Sequence, residues 1–355
     1  MTSFFPEPLE ELTQAIFVSA GAPAEEARTL AAHLVESNLV GHDSHGVMRI
    51  PSYVDHIRQG TVRLGVEPRV ERDTQALAVI DGCHGFGPVV VRFATELALR
   101  KAANAAIGAV TVRNCNHSGR LGSYTTLAAS RGFVAMMFVN AGGGGQSVAP
   151  FGGTSRRLAT NPLSIAAPSA GPHPILLDIA TSVIPEGKLR NAHLDGRRVP
   201  EGCLIDSNGQ PATDPGTFYE SGGALLPFGC AAGHKGFGLG FLVDILAGAL
   251  TGAGVCREDA PMPSDGVLFI ALDVKQFAQL ERFESQVAEL ASYVKSSPPA
   301  AGVTEVFVPG ELEYCEAERR RLEGIPVSQP VWNSIATVAA EFGLQLDVHA
   351  MVRDN

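Results

Sequence analysis

The stretch Gly41–Tyr53 concentrates reactive side chains, bringing the hydroxyl of Ser44, the imidazole of His45 and the guanidinium of Arg49 into a few residues of chain. Histidine titrates near neutrality and can give or take a proton at working pH. Arginine offers a fixed fork of donors that matches a carboxylate. Taken alone, His42 and His45 read as surface histidines of a polar loop, and they gain chemical meaning only from partners elsewhere in the chain.

Three further constellations could supply those partners. Asn114–Gly122 sits between an expected strand end and helix start, and its glycines let backbone N–H groups approach an anion such as a phosphate, with His117 adding a second imidazole. Asp178–Ser182, followed by Glu186, Gly187 and Lys188, puts a carboxylate, small residues and hydroxyls where a ligand could come close. Gly233–Gly236 opens an apolar helix, and Lys235 there opposes the helix dipole unless an anion shares the site. No G-x-G-x-x-G follows an expected strand, and no P-loop, nucleophile elbow or zinc-ligand spacing occurs, so no metal site is expected. Asp206–Gly209 reads as a turn.

The elements that must hold these groups follow from apolar spacing. Leu9, Leu12 and Ile16 mark a first helix ending at Gly21; Ala27, Leu30, Ala31, Leu34 and Val35 mark a second ending at Gly41; a third runs from Pro51 to Arg58. Alternation follows: strand Leu77–Ile80, a helix to Ala105 with Val90, Ala94, Leu97 and Lys101 at helical spacing, strand Ile107–Val112, helix Leu121–Ser130 and strand Phe133–Val139. Asn140–Pro174 reads mostly as loop, Ile175–Asp178 as a strand, Pro200–Pro227 as turn-rich and Phe237–Leu250 as a buried helix. Strand Val267–Leu272, helix Lys275–Val294, a linker at Ser296–Pro299, strand Val306–Val308, helix Glu311–Leu322 and helix Ser328–Phe342, with Ser328 as N-cap, complete the chain. The expected fold class is α/β (α+β) around a central mixed sheet, in three parts: 1–75 helical, 76–297 sheet-based, and 298–355 packing back on the first.

Composition narrows the possibilities. With 355 residues, 45% of them hydrophobic, the chain can build a substantial core. A net charge of −10 argues against a general nucleic-acid binder, and Arg319–Arg321, set among glutamates, reads as a solvated helix face. Six scattered cysteines fit free thiols in a cytoplasmic protein. The N-terminus lacks a signal-peptide layout, and the apolar stretch 237–255 contains Asp244 and five glycines, so no membrane span is expected.

In their order, Ser44-His45-Gly46 with Arg49 and Tyr53, Asn114–Gly122, Pro150–Gly153, Thr160–Pro162, Asp178–Ser182 with Glu186–Lys188, Thr213–Pro215, Leu226–Gly229, Gly233–Gly236 and Pro309–Glu311 resemble the type-2 malate/L-lactate dehydrogenase family, also called sulfolactate dehydrogenase-like. The Leu226–Gly236 region looks closest to the hydroxycarboxylate dehydrogenase branch. The resemblance implies a cytoplasmic, homodimeric oxidoreductase of non-Rossmann fold that uses NAD or NADP on a small carboxylate substrate. It implies His45 as proton donor with Ser44 in a relay, His117 as the rival acid/base, and Glu186 as a relay carboxylate. Arg49, Thr160, Thr181 and Ser182 would meet the substrate. His117, Ser118, Gly119, Arg120, Leu121, Asp178, Ile179, Ala180, Lys235, Gly236, Pro309, Gly310 and Glu311 would meet the cofactor.

Three reactions compete at this point. The first interconverts 2-oxo and 2-hydroxy acids, and the second reduces a cyclic imino acid such as Δ1-pyrroline-2-carboxylate. The third is Ser-His hydrolysis using Ser44, His45 and Glu186, disfavoured because adjacent Ser and His side chains on one helix are not expected to meet.

Overall fold

The computed structural model of the protein describes residues 2–260, 264–346 and 351–352. The chain starts with β1 (Thr2–Phe4), α1 (Pro6–Ser19) and α2 (Ala24–Leu39), then two 3-10 turns, Asp43–His45 and Val47–Arg49, and α3 (Ile50–Arg58). The predicted apolar positions of α1 and α2 are buried. Gly21 and Gly41 end these helices at φ +100° and +82°.

The sheet region contains β2 (Arg69–Asp73), β3 (Leu77–Asp81), α4 (Gly87–Ala105), β4 (Ile107–Cys115), α5 (Gly122–Ala129), β5 (Phe133–Asn140), β6 (Leu163–Ala167) and β7 (Ile175–Ile179). A subsidiary lobe follows: α6 (Glu186–Leu194), β8 (Leu204–Ile205), β9 (Pro211–Ala212), α7 (Gly216–Ser221) and β10 (Ala224–Leu225). Then come α8 (Gly233–Val243), β11 (Asp265–Asp273), α9 (Val274–Phe277), α10 (Leu280–Lys295), α11 (Glu311–Glu323), β12 (Ile325–Val327) and α12 (Gln329–Glu341).

The central sheet has the order β2-β3-β4-β11-β5-β6-β7. Its β3–β4 pair is parallel and its other pairs are antiparallel. This is an α/β fold with a mixed sheet, as expected, and not the parallel doubly wound sheet that carries a glycine-rich dinucleotide turn. One apolar core lies between the sheet and α4. A second unites α1, α2 and α3 with β12 and α12, closed by the β1–β12 pair and by the Phe4 and Trp332 rings with centroids 4.3 Å apart. A third fills the subsidiary lobe.

Several expectations need correction. Residues 306–308 form no strand, because the Val308 N–H donates to the Glu311 carboxylate (2.9 Å), which fixes the entry to α11 instead of joining a ladder. The helix expected over 275–294 breaks at Ala278, which is extended, giving α9 and α10. The 237–250 helix begins at Gly233, passes into a π-helical turn over Asp244–Ala249, and is buried on one side only: Val243 and Ala247 are fully buried, whereas Phe241, Leu242, Ile245 and Leu250 are 42–61% exposed. Ser328 precedes α12 without a side-chain cap. Strands β1, β2, β6 and β12 and the small β10-β8-β9 sheet were not anticipated; β2 has no apolar alternation, and every one of its residues is exposed. Lys101, at a helical core position, turns its ammonium to Asp73 and the Thr74 carbonyl. Among the described residues no helix is long and apolar enough to cross a membrane.

Candidate active site

The turns carrying Ser44, His45 and Arg49 are fixed from both sides. Asn38, near the end of α2, accepts from the Val47 N–H (2.7 Å) and donates to Asp43 (2.6 Å). From α11, Arg320 donates to the Asn38 carbonyl and to both Asp43 carboxylate oxygens at 2.6–3.1 Å. Arg320 is therefore buried, and only its neighbours in the Arg319–Arg321 run match the solvated face expected there. Its planar fork suits this bidentate grip, and it ties the reactive turn to the C-terminal part of the chain.

Within the turn, Ser44 Oγ lies 3.0 Å from His45 Nδ1. This corrects the expectation that adjacent Ser and His side chains do not meet, since the tight 3-10 geometry brings them together. A hydrolytic triad still lacks its third member, because the Glu186 carboxylate accepts from the Tyr219 hydroxyl (2.6 Å) on the subsidiary lobe. Arg49 donates through Nε to the Ser44 carbonyl (2.7 Å), an anchor that leaves the outer nitrogens of its fork available to a ligand. Gly187 lets α6 press on Ser44; a Cβ there would overlap the Ser44 Cβ.

His117 arrives on the loop after β4. Its ring stacks on His45 with centroids 5.4 Å apart and planes 19° apart, and its Nδ1 lies 2.8 Å from the hydroxyl of buried Tyr53. Burial raises the Tyr53 pKa, so its O–H stays protonated and can donate to Nδ1, which would leave the His117 proton on Nε2. The loop is pinned beneath: Ser118 donates through N and Oγ to Asp265 (2.7 and 2.6 Å), and Tyr124 donates to the Ser118 carbonyl (2.6 Å). Gly119 sits at φ +75° against the His33 ring, where a Cβ has no room.

A cleft of about 420 Å³ opens beside these groups. Ser44, His45, Gly119, Arg120, Leu121, Thr160, Asp178, Ile179, Ala180 and Ser182 from the predicted set line it, together with His42, Lys188 and Phe228, which stood in quoted motifs without a site role, and with Glu313. Asp178 accepts from the Gly122 N–H at the start of α5 (2.7 Å). Arg120 is 3% exposed, reaches Glu36 through Nη2 (2.7 Å), and leaves Nε and Nη1 without a hydrogen bond, Nη1 lying 4.0 Å from the Asp178 carboxylate. Thr181 lies beneath the wall and spends its hydroxyl on the Thr160 carbonyl (2.9 Å).

Other predicted residues stand apart from the cleft, Arg49, His117 and Ser118 directly behind its lining and the rest farther off. Glu186 faces Tyr219, and Lys235 is exposed on α8. Gly236 lets α8 approach the Phe228 backbone, and so touches the cleft wall only indirectly. The Pro309 carbonyl accepts from Leu176 (3.1 Å), Gly310 packs on Leu176, and Glu311 pairs with Lys295 (2.7 Å), beside a separate 220 Å³ hollow. Sequence reasoning gave no role to Tyr53, His33, Asp265 or Arg320. Tyr53 stood in a quoted motif, whereas the other three carry no local pattern and are joined to the site only by folding.

Burial pushes His45 and His117 well below the ordinary histidine range, reinforced by Arg49 and, for His45, by His117. Both imidazoles are thus neutral at neutral pH. His33, which accepts from the Arg120 N–H through Nε2 (3.0 Å), is held to about 4 by burial. Its folded value lies below the ordinary 6.5, so the unfolded chain takes up this proton first. Its contribution is present above pH 6.5 and is lost as pH falls toward 4, by up to about 3 kcal/mol. Thermal melts should fall through that window, and more shallowly in His33→Gln, whose amide oxygen can still accept from Arg120; equal slopes would remove His33 from the acid lability.

Comparison with known proteins identifies the family. The family model for malate/L-lactate dehydrogenase matches residues 5–336. The chain is 35% identical to the L-sulfolactate dehydrogenase of Methanothermobacter thermautotrophicus over 349 residues, covering 97% of this chain and 98% of the relative. It is 36% identical to hydroxycarboxylate dehydrogenase B of Escherichia coli over 347 residues, covering 96% and 94%. Among solved structures, the malate dehydrogenase of Pyrococcus horikoshii superposes with a TM-score of 0.88 at 33% identity, covering 97% and 96%. The Δ1-piperideine-2-carboxylate reductase of Pseudomonas syringae gives 0.81 at 31%, covering 96% and 100%. On the family model and these full-length likenesses, the chain is an oxidoreductase belonging to the malate/L-lactate dehydrogenase family.

Proposed function

We propose that this chain transfers hydride between NAD or NADP and C2 of a small 2-oxo or 2-hydroxy acid. The observation that carries this reading is that His45, on the wall of the cleft, and Arg49, just outside its lining, are both tethered to the same cleft residue, Ser44. Arg49 holds the substrate carboxylate with the outer nitrogens of its fork, which fixes the angle of the reacting carbon. His45 has Nδ1 occupied by Ser44, so Nε2 exchanges the proton with the substrate oxygen, and Ser44 relays behind it. In the oxidising direction neutral His45 accepts the hydroxyl proton. In the reducing direction the incoming carboxylate favours its protonated form, which neutralises charge developing on the carbonyl oxygen. The nicotinamide, when bound, supplies or removes the hydride.

A dinucleotide fits the residues present: Nε and Nη1 of buried Arg120 make no hydrogen bond, Nη1 having only a long ion pair to Asp178 (4.0 Å), and the neighbouring wall is formed by Gly119, Leu121 and Asp178–Ala180. The exposed Phe241, Leu242, Ile245 and Leu250 support a homodimer, and six free cysteines support a cytoplasmic enzyme. NADH and NADPH consumption should be followed with pyruvate, oxaloacetate and Δ1-pyrroline-2-carboxylate. Turnover of a 2-oxo acid is expected. Turnover of the cyclic imine alone would favour imino acid reduction, the activity named for the Pseudomonas neighbour, and no turnover of any would remove the reading.

A further inference from the structure

Central strand β11 begins with a carboxylate that neither the motifs nor the cleft lining includes. Asp265 pairs in register with Cys115, directly before the His117 loop. One of its oxygens, Oδ2, receives both the backbone and the hydroxyl hydrogen of Ser118, at 2.7 and 2.6 Å. Two donors from one residue on one carboxylate oxygen fix the backbone immediately after His117, and Tyr124 holds the same residue from its carbonyl side. The His117 ring is thereby set between Tyr53 and His45.

We propose that Asp265 is a positioning residue for hydride transfer: its carboxylate, by binding both Ser118 donors, keeps the His117 ring in register with His45. The role in catalysis rests on the proposed function, but the positioning can be measured without turnover. The groups facing Asp265 are Ser118 from the loop, Cys115 from β4, Tyr53 from α3 and Arg49 from the 3-10 turn. Burial keeps the Cys115 thiol and the Tyr53 phenol protonated, so Arg49 is the charged member. Burial also raises Asp265 to about 6, against the opposing pull of Ser118 and Arg49. Its ionised, Ser118-binding form therefore prevails above pH 6 and is lost as pH falls through 6, whereas both imidazoles titrate lower. An acid limb of activity near pH 6 then belongs to this carboxylate and not to a histidine.

The test follows the Ser118 amide by ¹⁵N–¹H NMR from pH 4.5 to 8 in the protein without substrate, alongside the pH profile of kcat/KM for 2-hydroxy acid oxidation. In the wild type the amide should shift with a midpoint near 6 that coincides with the acid limb. Asp265→Asn should abolish that titration, flatten the limb and lower kcat by up to about tenfold. Ser118→Ala, which removes one donor to the carboxylate, should move the limb to higher pH. An amide that does not titrate, an acid limb retained in Asp265→Asn, or a limb unmoved in Ser118→Ala would overturn the proposal. If the Asn variant fails to fold, the wild-type amide and Ser118→Ala decide it. Absence of turnover in the wild type would count against the proposed function, and the amide titration would then decide the positioning by itself.

Discussion

Replacing His45 by alanine is expected to lower kcat by about 10²- to 10⁴-fold, the range for loss of a positioned proton donor or acceptor, while cofactor binding followed by nicotinamide fluorescence persists. Two imidazoles stacked 5.4 Å apart could each carry the proton, but they are held differently. His45 lines the cleft with Nδ1 on Ser44, so Nε2 is its available nitrogen. His117 stands behind the cleft wall with Nδ1 on Tyr53. His117→Phe keeps the stacking surface and removes the nitrogens, and it should cost about tenfold, far less than the His45 change. The reverse order of effects, measured by steady-state and single-turnover rates, would transfer the proton role to His117. Ser44→Ala offers a check on the relay, because it removes the group that fixes the His45 ring and leaves the ring itself in place.

The second large effect concerns Arg49. Lysine at this position keeps the charge but loses both the Nε tether to the Ser44 carbonyl and the two-pronged outer face. Loss of a bidentate clamp should raise KM for a 2-oxo acid by about 10- to 100-fold, equivalent to about 1.4–2.7 kcal/mol. kcat should fall less than kcat/KM, because the carboxylate is held in both ground and transition states. Adding guanidinium to Arg49→Ala offers a second readout, since a free fork can partly refill the space left by the truncated side chain. An unchanged KM in Arg49→Lys would take Arg49 out of substrate binding.

How far the sequence was legible follows from the kind of signal each feature carries. The helices of the N-terminal part could be read because Leu9, Leu12 and Ile16, and then Ala27, Leu30, Ala31, Leu34 and Val35, repeat at the helical period and are all buried. The inner strands β4, β5 and β11 could be read from apolar runs. Edge strand β2 could not, because Arg69–Asp73 carries no buried side and is held by backbone pairing to β3. Ser44, His45, Arg49, Gly119–Leu121, Thr160, Asp178–Ala180 and Ser182 converge on one turn and cleft because ordered short motifs mark them.

Asp265 and Arg320 escaped for another reason. A carboxylate opening a strand and an arginine in a charged helix look ordinary in one dimension. Their importance comes from contacts with Ser118 and with Asp43, partners 147 and 277 residues away. Lys235 and Pro309–Glu311 show the converse, with motifs that are clear in the chain and side chains placed outside the cleft.

Hydride transfer between nicotinamide and C2 of a 2-oxo acid in this cleft is open to an isotopic test: reduction of a 2-oxo acid with NADH or NADPH carrying deuterium at the transferred C4 position, with the product examined by NMR and mass spectrometry. One deuterium is expected at C2 of the 2-hydroxy acid, with a single-turnover rate that slows on deuteration and collapses in His45→Ala. A 2-hydroxy acid formed without deuterium at C2 from cofactor labelled on either face would contradict it.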